Sequence, residues 1–188
     1  SWFDRFPSGS LGYYMSTTKT YHIKQGGVDA EVIFCALDDD GDVKKLLGME
    51  LTGANLAEFR EIPRTIVEAL DGRIGRYPRM DEGGPTWTGM FGDSNAPEEG
   101  SYWHAKMEGL NPDDPKKKQP TDWEIFRQPP AMIEHSEGEG EKRRKYYTLN
   151  PDAENLANLP AGYYENLIKD TSEDFIRVHV LAQYGRSK

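Results

Sequence analysis

The chain has 188 residues and a net charge of −9, from 23 Lys and Arg against 32 Asp and Glu. This charge argues against broad non-specific binding to nucleic acid, because such binding comes from pairing Lys and Arg with phosphates. Its one cysteine, Cys35, excludes an internal disulfide and points to a reducing compartment, and no apolar run is long enough to predict a membrane span. Nineteen glycines and twelve prolines favour a domain rich in irregular loops over a helical bundle.

The first predicted strands lie before residue 40. A short strand through residues 20–23 precedes the turn at Gly26 and Gly27. Residues 31–37, EVIFCAL, are mainly apolar and are bounded by turn signals, a pattern typical of a central strand covered on both faces. We therefore expect Cys35 to be a buried strand residue rather than a nucleophile.

The Asp-rich residues 38–42 raise the question of calcium binding. An EF-hand loop has an acid first, Gly sixth and Glu twelfth. With Gly41 in the sixth position, the first and twelfth are Ala36 and Leu47, so the pattern fails at both ends. We expect an acidic turn, and because the histidines show no paired spacing with each other or with Cys35, we predict no metal site.

The chain is organised around residues 46–60, LLGMELTGANLAEFR. This run of mostly apolar and small residues ends at one carboxylate, Glu58, just before the chain turns towards a predicted helix. In α/β proteins, ligands lie outside the carboxyl ends of the strands. Glu58 is therefore a candidate to orient a water molecule. The alternative is a solvated acid in a strand-to-helix turn.

A helix is predicted to begin at Pro63, a residue that suits the first helical turn, and to end at Gly72 and Gly75. Its apolar stripe consists of Ile62, Ile66, Val67, Leu70 and Ile74. Arg73 and Arg76 follow, and they could contact a phosphate or act as an arginine finger towards a neighbouring subunit. The alternative is a structural pairing with one of the many carboxylates.

The next predicted strand, residues 87–91, delivers Asp93, Ser94 and Asn95 to its carboxyl end. A polar residue at a strand tip, close in space to a catalytic acid, can sense whether a γ-phosphate is present. The alternative is a capped loop. Pro97 followed by two acids predicts the start of a further helix.

The chain becomes more polar after residue 109. Residues 110–120 are predicted to form a polar linker, and residues 123–126 a last short strand. Residues 135–147 have an acidic half and a basic half that could fold against each other as a hairpin. The candidate DNA contacts in the two basic clusters are Lys116, Lys117, Lys118, Arg143 and Arg144. The alternative for both clusters is a solvated loop.

Two helices are predicted in the tail. The first has an apolar face around Tyr164 and Leu167. The second begins with a capping box formed by Thr171 and Asp174, and it ends at Gly185. The alternation in RVHV at 177–180 would also suit a strand, but the cap and the stop signal favour a helix.

Four stretches, taken in order, carry a family resemblance. They are ALDDDGDVKKLLGMELTGANLAEFREIP at 36–63, GRIGRYP at 72–78, FGDSNAPEEGSYWHAKME at 91–108 and NPDAENLANLPAGYYENLIKDTSEDFIRVHVLAQYG at 150–185. Together they resemble the large terminase subunit of tailed bacteriophages, the ATPase that drives DNA packaging. The resemblance covers most of the chain, with a looser fit at 110–145.

The resemblance implies roles for three residues. Glu58 would be the acid that ends the second nucleotide motif and activates the attacking water. Asn95 would be the sensor in the coupling motif, with Asp93 the weaker candidate. The implied fold is α/β, a partial P-loop NTPase (ASCE-type) with a three-layer sheet and flanking helices. ATP with Mg²⁺ would be bound by the full-length protein.

The sequence also departs from the family pattern. A P-loop needs G-x-x-x-x-G-K-[ST], and no Gly-Lys pair occurs in the chain. Ala57 occupies the position where such ATPases usually place a magnesium-binding Asp. The chain thus resembles the second half of an ATPase domain, lacking the Walker A half, and we expect it to be inactive alone and to bind no cofactor tightly.

The implied domain organisation has three parts. Residues 1–109 would be the later part of the ATPase core, residues 110–149 a linker with a charged excursion, and residues 150–188 a helical segment that precedes a nuclease domain. The implied partners of the full-length protein are double-stranded DNA, the portal, the small terminase subunit and sister subunits in a homo-oligomeric ring. We expect it in the host cytoplasm, without membrane contact.

The sequence leaves two alternatives to the motor ATPase. One is a non-enzymatic assembly or docking module for sister subunits or the portal, which would make no use of Glu58. The other is a carboxylate nuclease built on residues 38–42. The nuclease is disfavoured because two-metal chemistry needs acids that converge on the ions from separate elements, not acids adjacent in sequence.

Overall fold

The computed structural model describes residues 11–119 and 121–186, which form a mixed α/β structure with several small sheets. The strands are β1 (Gly12–Met15), β2 (Thr20–Gln25), β3 (Val28–Ile33), β4 (Gly53–Ala57), β5 (Gly89–Asp93), β6 (Leu110–Asn111), β7 (Asp114–Lys118), β8 (Met132–Glu137) and β9 (Arg144–Leu149). The α-helices are α1 (Val43–Leu46), α2 (Arg64–Asp71), α3 (Tyr102–Glu108), α4 (Tyr163–Leu167) and α5 (Glu173–Phe175). A π-helical turn, Ile176–Val180, continues α5.

An antiparallel meander of β1, β2 and β3 opens the described chain. The predicted strand at 20–23 is confirmed as part of β2. The predicted strand at 31–37 is confirmed only for residues 31–33, where β3 ends, and its central placement is wrong, because β3 lies at the edge of the meander with most of its residues exposed. Cys35 lies beyond β3 and is exposed, so the prediction of a buried cysteine is also wrong.

A parallel pair, β4 and β5, lies at the centre of the first hydrophobic core. Their register runs from Gly53 opposite Gly89 to Ala57 opposite Asp93. Gly53 has no space for a side chain, because a Cβ there would lie 2.4 Å from the ring of Trp87. The fully buried members of this core are Leu46, Leu56, Ile66, Val67, Leu70 and Trp103.

Helix α2 covers this core. Pro63 occupies the N-cap position, and Gly72 follows the last residue of the helix. Ile66, Val67 and Leu70 are buried, which confirms the middle of the predicted apolar stripe, whereas Ile62 and Ile74 lie outside the helix. The helix therefore contributes its apolar face to this core.

The segment between β5 and α3 differs from its prediction. The helix predicted at Pro97 begins only at Tyr102, where the Ser101 hydroxyl accepts a hydrogen bond from the His104 amide at 3.1 Å. Glu98 instead forms a parallel β-bridge with Gly185. The helix starts at Tyr102 because the Ser101 hydroxyl caps it there, and this cap is a stronger start signal than a proline followed by two acids.

Two hairpins follow α3. The predicted linker at 110–120 contains the hairpin of β6 and β7, so that prediction is wrong for most of its length. No strand forms at 123–126. The predicted hairpin within 135–147 is confirmed, because β8 and β9 pair antiparallel and the Lys145 ammonium lies 3.0 Å from the Glu134 carboxylate.

A second core joins Met132 of β8 to Ile176, Val180 and Leu181 of the tail. Helix is confirmed over strand at 177–180, in the form of the π-helical turn. The predicted capping box is wrong. Ser172 caps α5 by accepting from the Phe175 amide at 3.3 Å, whereas the Thr171 hydroxyl donates to the Leu167 carbonyl at 2.6 Å.

The helix also ends before the predicted stop at Gly185. The chain leaves the π-helical turn at Leu181 and Ala182, and the φ of Ala182 is 51°. Among the helices of the described residues, none has the length and apolar character that a bilayer crossing requires.

Candidate functional site

The carboxyl ends of β4 and β5 lie side by side, because the two strands run parallel and their register ends with Ala57 opposite Asp93. Glu58 is therefore the next residue after one strand, and Ser94 the next after the other. Glu58, Asp93 and Asn95 all line one open cleft of about 1100 Å³. The structure thus brings together the water-orienting candidate and both sensing candidates.

The backbone of Glu58 is in the left-handed region, with φ 50° and ψ 50°. For a residue with a Cβ this conformation costs about 1–2 kcal/mol relative to the right-handed one. A 3₁₀ turn, Phe59–Glu61, follows directly, and the ring of Phe59 packs on Trp103 at a centroid distance of 4.6 Å. The turn that leaves β4 is thus strained at Glu58 and anchored at Phe59.

Backbone strain at Glu58 predicts opposite effects of glycine at adjacent positions. Glu58→Gly is expected to raise the free energy of unfolding by roughly 0.5–1 kcal/mol, because glycine adopts positive φ without steric cost. Ala57→Gly, within β4, is expected to lower it by about 0.5–1 kcal/mol. Urea unfolding of the two variants measures both changes. Equal destabilisation by both would show that the Glu58 side chain supports the fold rather than straining it.

Arg60 joins the turn after β4 to the loop after β5. Its backbone amide donates to the Ser94 hydroxyl at 3.2 Å, and its Nη1 donates to the Ala96 carbonyl at 3.3 Å. Its Nε lies 2.8 Å from a carboxylate oxygen of Glu61. The side chain is only 24% exposed. Arg60 was not predicted as a site residue, because nothing in the local sequence indicates that Arg60 contacts a loop more than thirty residues further along the chain.

The loop after β5 is also held by Gly185, near the end of the described residues. The Gly185 amide donates to the Pro97 carbonyl at 3.0 Å, and the Glu99 amide donates to the Gly185 carbonyl at 2.9 Å. Pro97 is itself fully buried. Asn95 therefore lies in a three-residue span between the end of β5 and a fixed, buried proline.

His179 enters the cleft from the π-helical turn. Its ring stacks on Phe175 at a centroid distance of 4.2 Å. Burial lowers the pKa of His179, and the positive charge of Arg60 lowers it further, while Glu58 and Asp174 act in the opposite direction. Sequence reasoning weighed this histidine only as a zinc ligand. A π-helical turn is often found at functional sites, but it has no clear sequence signal.

A polar cluster consists of Glu108, Arg127 and Tyr184, of which Arg127 and Tyr184 line the cleft. The Tyr184 hydroxyl and the Arg127 guanidinium both donate to the same Glu108 oxygen, the latter at 2.6 Å. The hydrogen bond from Tyr184 lowers the pKa of Glu108, and the contact with Arg127 adds to this. The cluster joins Tyr184 to the end of α3, because Glu108 is the final residue of that helix.

Arg73 and Arg76 lie away from the cleft. The Leu51 amide donates to the Arg73 carbonyl, and the Arg76 amide donates to the Leu51 carbonyl, both at 3.1 Å. Leu51 precedes β4, so the two arginines lie at the opposite end of that strand from Glu58. Neither is among the residues that line the cleft. Their contact with a nucleotide bound by a neighbouring subunit stays a prediction.

The candidate DNA contacts are exposed and also lie outside the cleft. Lys116, Lys117 and Lys118 are on β7, and the ammonium of Lys117 lies 2.9 Å from the Asp114 carboxylate. Arg143 and Arg144 lie where the second hairpin enters β9. Contact of either cluster with DNA stays a prediction.

The acidic residues 38–42 form a turn, as predicted. The Asp39 carboxylate accepts from the Gly41 amide at 2.7 Å, and Asp42 accepts from the Asp38 amide at 2.8 Å. Within residues 11–119 and 121–186, no three His, Cys, Asp or Glu side chains come together as a metal site would require.

Comparison of the chain with protein-family models, with curated proteins and with solved structures gave no match. Its function is therefore inferred from the cleft and from the sequence pattern.

Proposed function

We propose that this chain carries the water-activating half of a motor ATPase like that of large terminase subunits, and that the intact protein couples ATP hydrolysis to movement of double-stranded DNA into a procapsid. The observation that best supports this is the parallel pair β4–β5, whose carboxyl ends present Glu58 and Asn95 to one cleft. In phosphoryl transfer, positioning and charge stabilisation supply most of the rate. Two polar groups on adjacent strand ends suit that task.

Each of the two residues has one role in the proposed reaction. The Glu58 carboxylate accepts a hydrogen bond from the attacking water and orients it towards the γ-phosphorus. The Asn95 amide group donates to a γ-phosphate oxygen, since a side-chain amide has two N–H donors. Loss of that phosphate removes the acceptor of the Asn95 amide. Asp93, at the end of β5, is the second candidate for this sensing role.

The phosphate cradle is assigned to residues outside these 188, because the chain has no Gly-Lys pair. Mg²⁺, when bound, would neutralise charge on the phosphate oxygens. Ala57 provides no ligand for it, so Glu58 and Asp93 are the carboxylates that this chain offers at the strand ends. We accordingly expect the isolated chain to bind ATP weakly and not to turn it over.

The small size of the β4–β5 sheet is consistent with a larger assembly. Parallel sheets usually contain more than two strands and have both faces covered. In the described residues, each of these strands has a partner on one side only. In the proposal, strands of the phosphate-binding half pair with this sheet and complete the three-layer P-loop fold.

Partners follow from the same proposal. Sister subunits would form a ring, and the portal and small terminase subunit would bind the intact protein in the host cytoplasm. With a net charge of −9, contact with DNA would be confined to the small basic clusters at Lys116–Lys118 and Arg143–Arg144.

Replacing Asn95 tests the sensing role. In the intact protein, Asn95→Ala is expected to reduce the preference for a non-hydrolysable ATP analogue over ADP by about 10–100-fold, because a hydrogen bond to a charged group contributes about 1.5–3 kcal/mol. Calorimetry with both nucleotides measures the two dissociation constants. Asn55→Ala is the matched control, since Asn55 is exposed on β4 and does not line the cleft.

An unchanged preference in Asn95→Ala would contradict the sensing role. A docking module, the alternative function, would bind neither nucleotide in the cleft. Nucleotide binding that is absent from the intact wild-type protein, with assembly retained, would therefore favour docking over the motor ATPase.

A further inference from the structure

Asn95 lies in a short irregular segment, and its position depends on the contacts that hold this segment. Strand β5 ends at Asp93, and the next fixed point is the buried Pro97. Between them lie Ser94, Asn95 and Ala96, all half-buried. An amide group that must meet a phosphate oxygen needs this span to be held in place, because misplacement by about 1 Å can cost roughly 100-fold in rate.

Arg60 contacts the span on both sides of Asn95. Its backbone amide bonds to the side chain of Ser94, and its guanidinium bonds to the carbonyl of Ala96. Because Arg60 is two residues after Glu58, these contacts fix the sensing loop relative to the turn that carries the acid. The two polar groups of the cleft are thus linked through one residue.

The remaining contacts of Arg60 favour arginine over lysine. The Nε lies 2.8 Å from the Glu61 carboxylate while Nη1 donates to Ala96. The contact at Nε is an ion pair without hydrogen-bond geometry. A guanidinium is a rigid plane, so its charge can lie against Glu61 while Nη1 donates to Ala96, whereas a lysine ammonium is a flexible point donor. The neighbouring carboxylate thereby orients the guanidinium towards the loop.

The far side of the loop is held independently of Arg60. Pro97 and Glu99 are hydrogen-bonded to Gly185, and the Arg177 guanidinium contacts the Glu99 carboxylate at 3.1 Å. Loss of the Arg60 side chain should therefore release residues 95 and 96, while the bond from the Arg60 backbone amide to Ser94 and the contacts of residues 97–99 remain.

We propose that Arg60 is a positioning residue that holds the Asn95 loop against the turn of Glu58. This inference rests on the proposed function of the cleft. Arg60 has no direct part in the chemistry, because it acts through the backbone of the loop.

Backbone ¹⁵N relaxation of this chain tests the hold on the loop without any nucleotide. In Arg60→Ala, the order parameters of residues 95 and 96 are expected to fall from about 0.85 to below about 0.6, while those of β4, β5 and Glu99 are unchanged. Arg60→Lys should restore them only in part, because an ammonium can donate to the Ala96 carbonyl but lacks the planar guanidinium. Arg64→Ala is the control, since it removes the exposed ion pairs with Glu68 and Asp113.

Unchanged order parameters at residues 95 and 96 in Arg60→Ala would overturn the inference. So would a uniform fall over the whole chain, which would reveal a general loss of stability instead of a local release.

Steady-state hydrolysis by the intact protein tests the consequence for the reaction. Arg60→Ala is expected to lower kcat about tenfold or more with KM for ATP within about twofold, and Arg60→Lys to recover only part of the rate. Unchanged kcat despite a released loop would overturn the positioning role. If the wild-type protein hydrolyses no ATP, the proposed function fails, whereas the order parameters still decide whether Arg60 holds the loop.

Discussion

Replacing Glu58 with glutamine in the intact protein is expected to lower ATP turnover by about 10²–10⁴-fold, the range that a positioned proton-accepting side chain contributes. Glutamine has nearly the same shape as glutamate, but its amide has no basicity and offers one oxygen instead of two. Because Glu58 is exposed at the cleft, its replacement should leave the hydrophobic core intact. Phosphate release under saturating ATP measures the effect.

The matched control for this experiment is Glu68→Gln. Glu68 is exposed on α2 and does not line the cleft. The Glu68→Gln variant should retain turnover within a few-fold of wild type, since the Glu68 carboxylate pairs with Arg64 and not with a residue of the proposed site. Turnover in Glu58→Gln that stays close to that of this control would contradict the assignment of Glu58 as the water-orienting residue.

Replacing Trp103 with alanine is expected to lower the free energy of unfolding by about 3–5 kcal/mol. Trp103 is 4% exposed and packs against Phe59 and Trp123, at centroid distances of 4.6 and 5.7 Å. Its Nε1 donates to the Ile62 carbonyl at 3.0 Å. Alanine removes all of these contacts and leaves a cavity beneath the turn that carries Glu58. Chemical denaturation of this chain measures the loss.

Trp103→Phe separates packing from hydrogen bonding in the same position. Phenylalanine keeps an aromatic ring in the core but leaves the Ile62 carbonyl without its donor, so we expect a smaller loss of about 1–3 kcal/mol. Equal losses in the two variants would show that the hydrogen bond dominates. A loss below about 1 kcal/mol in Trp103→Ala would contradict the central place of this residue in the core.

The helices and strands around the cleft could be predicted where neighbouring residues in the sequence determine them. Helix α2 has an apolar stripe at helical spacing and a proline at its start, and both features depend on neighbouring residues alone. The end of β4 at Glu58 follows from an apolar run that stops at an acid. Because parallel strands end at the same edge of a sheet, the proximity of Glu58 to Asp93 and Asn95 could be predicted as well.

The failed predictions concern features that local sequence does not determine. An apolar run such as residues 31–37 does not indicate whether neighbouring segments will cover both of its faces, and β3 lies at an edge. The linker at 110–120 contains a hairpin because backbone pairing can override a polar composition. The contacts of Arg60 with Ala96 and of Gly185 with Pro97 join distant parts of the chain, and no periodicity predicts them.

The most direct test of the proposed site is a structure of the intact protein with Mg²⁺, ADP and beryllium fluoride, which mimics the γ-phosphate. We predict that a fluoride lies about 3 Å from the Asn95 amide nitrogen, and that a water bound to the Glu58 carboxylate lies in line with the beryllium. A nucleotide bound in another part of the protein, with neither side chain near the fluoride, would contradict the assignment of this cleft to ATP hydrolysis.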